Sequence, residues 1–217
     1  MAFTAAHLRA ARRHLRKHDP IMRSMINQVG PCTVRCQRDR FQMLVRSIIS
    51  QQISVGAARS IRNRLEQLLA PDRITPETLL GFKPRQLRSA GLSPQKTTYI
   101  LDLANKIEQG HVVLRTIGRR DDEAVIKELT QVKGIGHWTA QMFLMFALGR
   151  LDIFPAADLG IRIAIRDHYN LAELPDKNIS HEIAAPWRPY ATIASWYLWR
   201  SLDLQRQSKA DKTRAST

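Results

Sequence analysis

Two glycines interrupt the stretch Leu129-Thr130-Gln131-Val132-Lys133-Gly134-Ile135-Gly136-His137-Trp138-Thr139-Ala140. Before them, apolar residues recur at helical spacing, so a helix is predicted to run up to the glycines. Gly134 and Gly136 are predicted to end it, because glycine adopts positive φ without strain. The following residues, 137–148, are apolar almost all round and predict a buried helix. The stretch therefore predicts two helices joined by a tight glycine turn.

This turn is a candidate anion site. The amides of Gly134, Ile135 and Gly136 are predicted to lie at the N-terminus of the second helix, where free N–H groups and the helix dipole favour an anion. Lys133 and His137 flank the turn. The expected ligand of this site is a nucleic-acid phosphate. The alternative is an ordinary helical hairpin in which the glycines only turn the chain.

The pattern continues through Leu151-Asp152-Ile153-Phe154-Pro155-Ala156-Ala157-Asp158 to an aspartate that opens the next helix. Together these segments resemble the helix-hairpin-helix motif of the DNA glycosylase superfamily. From about Phe41 to Trp199 the chain is most similar to the alkylation-repair branch, the 3-methyladenine DNA glycosylase II type. The resemblance implies an all-α fold with two helical subdomains flanking a DNA-binding cleft. It implies a glycosylase domain over 1–205, with the hairpin at about 122–148.

Composition agrees with a polyanionic partner. The 217 residues carry 34 Lys and Arg against 19 Asp and Glu, a formal net charge of +15. Such a charge attracts nucleic acid, although charge alone does not separate DNA from RNA or an anionic membrane. No apolar run approaches the ~20 residues that span a bilayer. The expected partner is double-stranded DNA with damaged bases, bound by a monomer without membrane contact, in the cytoplasm (the bacterial nucleoid) or the nucleus.

The two ends of the chain are interpreted from composition. The Arg-rich start, 7–18, is compatible with a mitochondrial transit peptide, but a second helical pattern follows it at once and favours a helix pair. Residues 206–217 lack apolar periodicity and predict a disordered basic tail.

No cofactor signature is present. Cys32 and Cys36 are too few for a disulfide framework, a zinc site or a four-cysteine iron–sulfur cluster, so two reduced thiols are expected. No cofactor is expected to be required. In the superfamily, hairpin carbonyls hold a monovalent cation, which implies a structural Na⁺ or K⁺ at the carbonyls of Thr130, Val132 and Ile135.

Helical patterns account for the rest of the chain. They cover 39–50, 55–69, 76–81, 84–90, 94–109, 159–168 and 190–204, without a convincing strand. Residues 35–64 carry seven arginines and a single acid, Asp39. This one-sided charge favours contacts with phosphates, and the alternative is a solvated helix face.

Asp158 is the candidate catalytic residue. Its position predicts an N-cap for the following helix, which could be its entire role. Capping is compatible with catalysis, because the N–H donors hold the carboxylate ionised while glycosidic cleavage builds positive charge on the sugar. The resemblance assigns that role to Asp158. Asp152 is the second choice, because it lies within the loop.

Trp138 indicates which reaction is excluded. Bifunctional glycosylase/lyases place a lysine nucleophile two residues after the second glycine, where this chain has Trp138. Without that lysine no Schiff base forms there, so the resemblance implies a monofunctional enzyme.

A base that is flipped out of the duplex needs an apolar and aromatic pocket. The resemblance places Trp138 and Trp196 in that pocket, with Met142 and Leu159 where better-known relatives carry tyrosines. Trp187 and Trp199 are interpreted as core residues.

The resemblance also implies a wedge that fills the gap left by the flipped base. Gln52 or its neighbour Ile53 occupies this place, and the alternative is a polar linker between helices.

The sequence therefore predicts a monofunctional DNA glycosylase that removes alkylated purines of the 3-methyladenine or 7-methylguanine type. A non-catalytic helix-hairpin-helix DNA-binding module is the alternative. Whether ethenoadenine or hypoxanthine is also removed stays open.

Overall fold

The structure, a computed structural model, describes residues 3–215, most of which lie in helices. Within these residues no strand is present, which confirms the predicted all-α class. The α-helices are α1 (Ala5–His18), α2 (Pro20–Val29), α3 (Arg40–Ser50), α4 (Val55–Leu69), α5 (Pro76–Leu80), α6 (Pro84–Ser89), α7 (Pro94–Glu108), α8 (Asp122–Leu129), α9 (His137–Phe146), α10 (Leu159–His168), α11 (Lys177–Ala184) and α12 (Ala191–Ala215). Two 3₁₀ turns lie at Ile117–Arg119 and Ala185–Trp187.

Short polar side chains set most helix starts. The side-chain oxygen of each cap accepts a hydrogen bond from a backbone N–H in the first turn, which satisfies one of the donors that a helix start leaves unpaired. The predicted caps Ser54 and Asp158 are both confirmed. The other caps of this kind are Thr4, Asp19, Asp39, Thr75, Ser93, Asp121 and Asp176.

The described chain divides into two compact units. The first comprises residues 3–36 and 148–215, in which α12 packs against α1, α2 and α10. Its core includes Trp187 and Tyr197, both fully buried. Asp19 is also buried there and accepts hydrogen bonds from the indole of Trp187 and the hydroxyl of Tyr169. Burial and this neighbouring carboxylate raise the pKa of Tyr169.

The second unit, Gln37–Ala147, is built around α3. This helix packs against α4, α7 and α9, while α8 pairs with α9. The predicted apolar stripe of α3 is confirmed, because Phe41, Leu44, Val45, Ile48 and Ile49 are all buried.

The structure agrees with the prediction for the start of the chain and differs from the prediction for its end. At the start, Ala11 and Leu15 are fully buried, so α1 is an integral part of the first unit, as the predicted helix pair requires. At the end, α12 continues to Ala215, whereas the sequence predicts a disordered tail from residue 206. The Gln, Arg, Lys and Ala residues of this segment favour helix, and extending a packed helix avoids the cost of nucleation. Residues 216 and 217 of the predicted tail lie outside the described residues.

Cys32 and Cys36 are free and half-buried. None of the helices described is both long enough and apolar enough to span a lipid bilayer.

Candidate functional site

The predicted hairpin is present, with α8 ending at Leu129 and α9 beginning at His137. Gly134 has φ +79°, and a Cβ added there would lie 2.0 Å from Cδ2 of Tyr99. Both its conformation and its close contact with the ring therefore require glycine. The prediction that Gly136 also adopts positive φ is wrong. Gly136 is the N-cap of α9 with φ −90° and ψ 176°, because a cap residue needs extended backbone.

Two side chains hold the turn in place. Nε2 of Gln51 donates to the Gly134 carbonyl at 2.8 Å, and Oδ2 of Asp102 accepts the backbone N–H of Lys133 at 2.8 Å. Sequence reasoning missed both residues, since neither lies in the motif and only the fold brings them to the turn.

The exposed end of α9 retains the features of an anion site. Lys133, Gly136 and His137 are exposed, and a Cβ at Gly136 would meet nothing within 4 Å. An anion can therefore approach the start of the helix closely. Ile135 differs from the prediction, because it is buried and its N–H already donates to the Val132 carbonyl at 3.0 Å.

Asp158 is fixed by two donors. As the N-cap of α10, its Oδ1 accepts the backbone N–H of Ile161 at 2.8 Å. The same oxygen accepts the indole N–H of Trp199, on α12, at 2.9 Å. Asp158 is half-buried. The interpretation of Trp199 as a core residue is therefore wrong, because the indole is half-buried and its N–H binds the candidate carboxylate.

Gly160 permits this close packing. A Cβ at Gly160 would lie 3.1 Å from Oδ1 of Asp158 and 3.3 Å from Cδ1 of Trp199. These distances are shorter than ordinary van der Waals contacts between such atoms, so a side chain here would press on the carboxylate and the indole. In the sequence, the signal for this packing is the glycine itself, which lies two residues after the Asp158 cap in the first turn of α10.

The alternative carboxylate, Asp152, is used for structure. Its Oδ2 forms an ion pair with Nε of Arg188 at 2.8 Å, and its Oδ1 accepts the N–H of Ala191 at 3.3 Å. It thus joins the loop before Asp158 to the start of α12, and the structure favours Asp158 over Asp152 as a reactive group.

The pocket candidates lie on both units. In the second unit, Trp138 and Met142 are one turn apart on α9, with Trp138 45% exposed and Met142 buried. In the first unit, Leu159 follows Asp158 directly and is 57% exposed. Trp196 is half-buried on α12 with its ring edge-on to Tyr197, at a centroid distance of 5.0 Å. Trp187 is fully buried, which confirms its predicted core role.

The predicted wedge loop joins α3 to α4. Gln52 has φ +56°, a conformation that is uncommon for residues other than glycine. Gln52 and Ile53 are both exposed. Such backbone strain persists where the surrounding structure imposes it, and here Gln51 on one side and the Ser54 cap on the other fix the loop.

Three of the arginines in 35–64 are engaged in contacts within the second unit. Arg40 donates to the backbone carbonyl of Leu114, and Arg64 donates to that of Ala90. These two side chains therefore stabilise the second unit and are not free to bind phosphates. Arg62 pairs with Glu66 at 3.5 Å. The prediction of a phosphate-binding face therefore applies to fewer side chains than the sequence suggests.

Metal ligation by side chains finds no support in the described chain. Across residues 3–208, no group of three or more His, Cys, Asp and Glu side chains is arranged to hold a metal ion. The hairpin carbonyls are a different kind of ligand, and Val132 already accepts one N–H.

Known proteins are similar to this chain in sequence and in fold. A DNA-3-methyladenine glycosylase 1 of Schizosaccharomyces pombe is 33% identical over 204 residues, covering 90% of this chain and 88% of the relative. Other curated relatives are longer: the chain spans 59% of the length of a putative DNA-3-methyladenine glycosylase of Bacillus subtilis, to which it is 32% identical over 169 residues, and 57% of the length of the DNA-3-methyladenine glycosylase 2 of Escherichia coli.

Solved structures of 3-methyladenine DNA glycosylases have a similar fold. A DNA-3-methyladenine glycosidase from Bacillus halodurans superimposes with a TM-score of 0.79 at 34% identity, covering 88% of each chain. The S. pombe 3-methyladenine DNA glycosylase Mag1, in complex with abasic DNA, gives 0.77 at 31% identity and covers 88% of this chain and 95% of that one.

The family assignment rests on most of the chain. Residues 45–189 match the HhH-GPD superfamily of base excision DNA repair proteins, a range that includes the hairpin, the wedge loop and Asp158. The chain therefore belongs to the HhH-GPD superfamily of base excision DNA repair proteins.

Proposed function

We propose that this protein is a monofunctional DNA glycosylase that hydrolyses the N-glycosidic bond of alkylated purines in double-stranded DNA. The observation that carries the proposal is the Asp158 carboxylate, held by the Ile161 amide and the Trp199 indole through one oxygen. The names of the relatives, which are 3-methyladenine DNA glycosylases, support the substrate class.

Asp158 acts on the sugar. As the bond between base and sugar breaks, positive charge develops on the deoxyribose. A carboxylate fixed beforehand stabilises that charge without reorganising, and it can accept a proton from the attacking water. Water adds to the sugar carbon, the base leaves with the bonding electron pair, and an abasic site remains.

The absence of a lyase step is part of the proposal. Trp138 stands where a nucleophilic lysine would form a Schiff base with the sugar, and an indole has no amine that can attack. The exposed indole instead supplies a flat face for the flipped base, and a cationic alkylated purine gains attraction from it.

Binding and positioning are assigned to other parts of the chain. The N-terminus of α9, with Lys133 and His137, contacts a phosphate, and Gln52 or Ile53 fills the gap in the duplex. The protein acts as a monomer, in the cytoplasm or nucleus where chromosomal DNA lies. The carbonyls of Thr130, Val132 and Ile135 are the ligands we propose for a structural Na⁺ or K⁺. Val132 keeps a second lone pair beside its bond to Ile135.

The test is base release from a panel of duplexes that carry single lesions. We expect release of 3-methyladenine or 7-methylguanine, with no covalent adduct after borohydride reduction. A trapped adduct would contradict the monofunctional assignment. Binding of duplex DNA without release of any base would favour the alternative, a non-catalytic DNA-binding module.

A further inference from the structure

A cleft outside the candidate active site is lined entirely by cationic side chains. The lining residues are Arg9, Arg12, Arg13, Arg16 and Lys17 of α1 and Arg23 of α2. None of them belongs to the hairpin, the wedge loop or α10.

The cleft encloses about 670 Å³, enough for several phosphate groups with their hydration. Its cations form a stripe on α1, where Arg9, Arg12, Arg13 and Arg16 recur at the spacing of one helix face. Arg9 and Arg16 are separated by roughly 10 Å along the helix axis. The opposite face of α1 buries Ala11 and Leu15 in the core, so the orientation of the stripe is fixed by packing.

The positive charge of the cleft is not compensated within the described chain. Among residues 3–208, whose side chains the structure describes, no carboxylate lines the cleft, and none of its six cations forms an ion pair. The hydrogen bonds that two of them donate go to neutral groups, from Arg16 to the Asn27 amide oxygen and from Arg23 to the Arg16 carbonyl. Asp19, between the two helices, is buried and bound to Trp187. Six like charges repel one another until an anion enters.

The shape of the stripe favours a nucleic-acid backbone over a membrane. A helix that lies on a lipid surface must insert an apolar face, and the apolar face of α1 is already buried. Phosphates of one DNA strand follow each other about every 3.4 Å along the duplex axis, so a stripe of roughly 10 Å spans about three.

We propose that this cleft is a second contact site for the phosphate backbone of duplex DNA, separate from the site of base excision. It would add affinity for undamaged DNA, along which a repair enzyme must search. The choice of DNA as the polyanion rests on the proposed function, whereas the site itself rests on the cleft.

The test replaces the four exposed cations that make no hydrogen bond in the cleft, giving Arg9→Gln/Arg12→Gln/Arg13→Gln/Lys17→Gln. The matched control, Arg73→Gln/Arg85→Gln/Arg88→Gln/Arg115→Gln, removes the same charge from exposed positions of the other unit. Affinity for an undamaged duplex is measured by fluorescence anisotropy across a salt series. A double variant, Arg12→Gln/Arg13→Gln, provides an intermediate step, and circular dichroism checks that each variant folds.

We expect the cleft variant to bind undamaged duplex about tenfold or more weakly at low salt, with a log–log salt slope that is shallower by about two to four. The double variant should show about half that change in slope, and the control should stay closer to wild type. Single-turnover base release at saturating enzyme should be unchanged, because these side chains do not touch the reacting base.

Equal losses in the cleft variant and the control would overturn the proposal, because net charge alone would then explain binding. Unchanged duplex affinity would overturn it as well, as would a selective loss of binding to transfer RNA or to phosphatidylserine vesicles with duplex binding retained. The binding measurement does not depend on catalysis, so failure of the proposed glycosylase activity would be seen separately, as absent base release.

Discussion

The indole N–H of Trp199 and the backbone N–H of Ile161 both donate to Oδ1 of Asp158, at 2.9 and 2.8 Å. Trp199 lies 41 residues further along the chain, on α12. The candidate carboxylate is therefore fixed by its own helix and by a second one, which is more than an N-cap needs.

Trp199→Phe keeps an aromatic ring but removes the donor to Asp158. Hydrogen bonds to charged groups contribute about 1.5–3 kcal/mol, so loss of correct positioning should slow single-turnover base release by about tenfold to a hundredfold. Affinity for a duplex with an abasic site should change little. The same substitution in an Asp158→Asn background should have little further effect, and a full additional loss would show that Trp199 acts independently of Asp158.

Gly160→Ala separates stability from activity. Alanine favours helix over glycine by about 1 kcal/mol, so the melting temperature should not fall greatly. The new Cβ would press on Asp158 and Trp199, and base release should slow by about tenfold. Measuring Tm and single-turnover rate on the same preparation checks both. Wild-type activity in this variant would mean that the carboxylate tolerates displacement.

Gln52→Gly tests the wedge without a folding penalty. Glycine accepts φ +56°, so the loop should keep its conformation while it loses the side chain. Release should slow more for a lesion in a stable pair than for one in a mismatch, because a stable pair needs more help to open. Ile53→Ala serves as the comparison, and whichever variant shows the larger difference identifies the wedge. Equal slowing on both substrates would indicate a structural role for the loop.

His168 should make stability depend on pH. Burial lowers the pKa of His168 below its ordinary 6.5, although nearby Asp167 opposes this shift. The unfolded chain then binds more protons than the folded chain between the lowered pKa and 6.5, so stability should fall as the pH drops below about 6.5. His168→Gln can keep the contact with Ser201 and should lose less stability on acidification. Urea unfolding at several pH values measures this, and parallel curves for the two proteins would contradict it.

Local patterns accounted for most of the secondary structure. The caps at Ser54 and Asp158, the stripe of α3 and the glycine turn all depend on residues close together in the chain, which is why the sequence predicts them. Trp199, Gln51 and Asp102 act on the site from distant segments, so their roles appear only once the fold brings those segments together. Gly136 departs from the predicted positive φ because it caps a helix, and a helix cap and a left-handed turn require different backbone angles.

One substitution, Asp158→Asn, distinguishes a catalytic role of Asp158 from a role as a helix cap alone. The Ile161 and Trp199 donors both bind Oδ1, and the amide oxygen of asparagine can accept the same two hydrogen bonds. Asparagine is also among the preferred N-caps. Asp158→Asn should therefore keep the fold and DNA affinity while it removes the negative charge. Asp152→Asn is the control, because its ion pair with Arg188 is structural.

The most direct measurement is the single-turnover rate of base release by Asp158→Asn from a duplex with one alkylated purine. We predict a loss of about two or more powers of ten, with a melting temperature and duplex affinity close to wild type. A lesion with a weak glycosidic bond, such as cationic 3-methyladenine, should show a smaller loss than a neutral base. Near-normal release of every lesion by a folded Asp158→Asn would contradict the account and leave Asp158 as a helix cap alone.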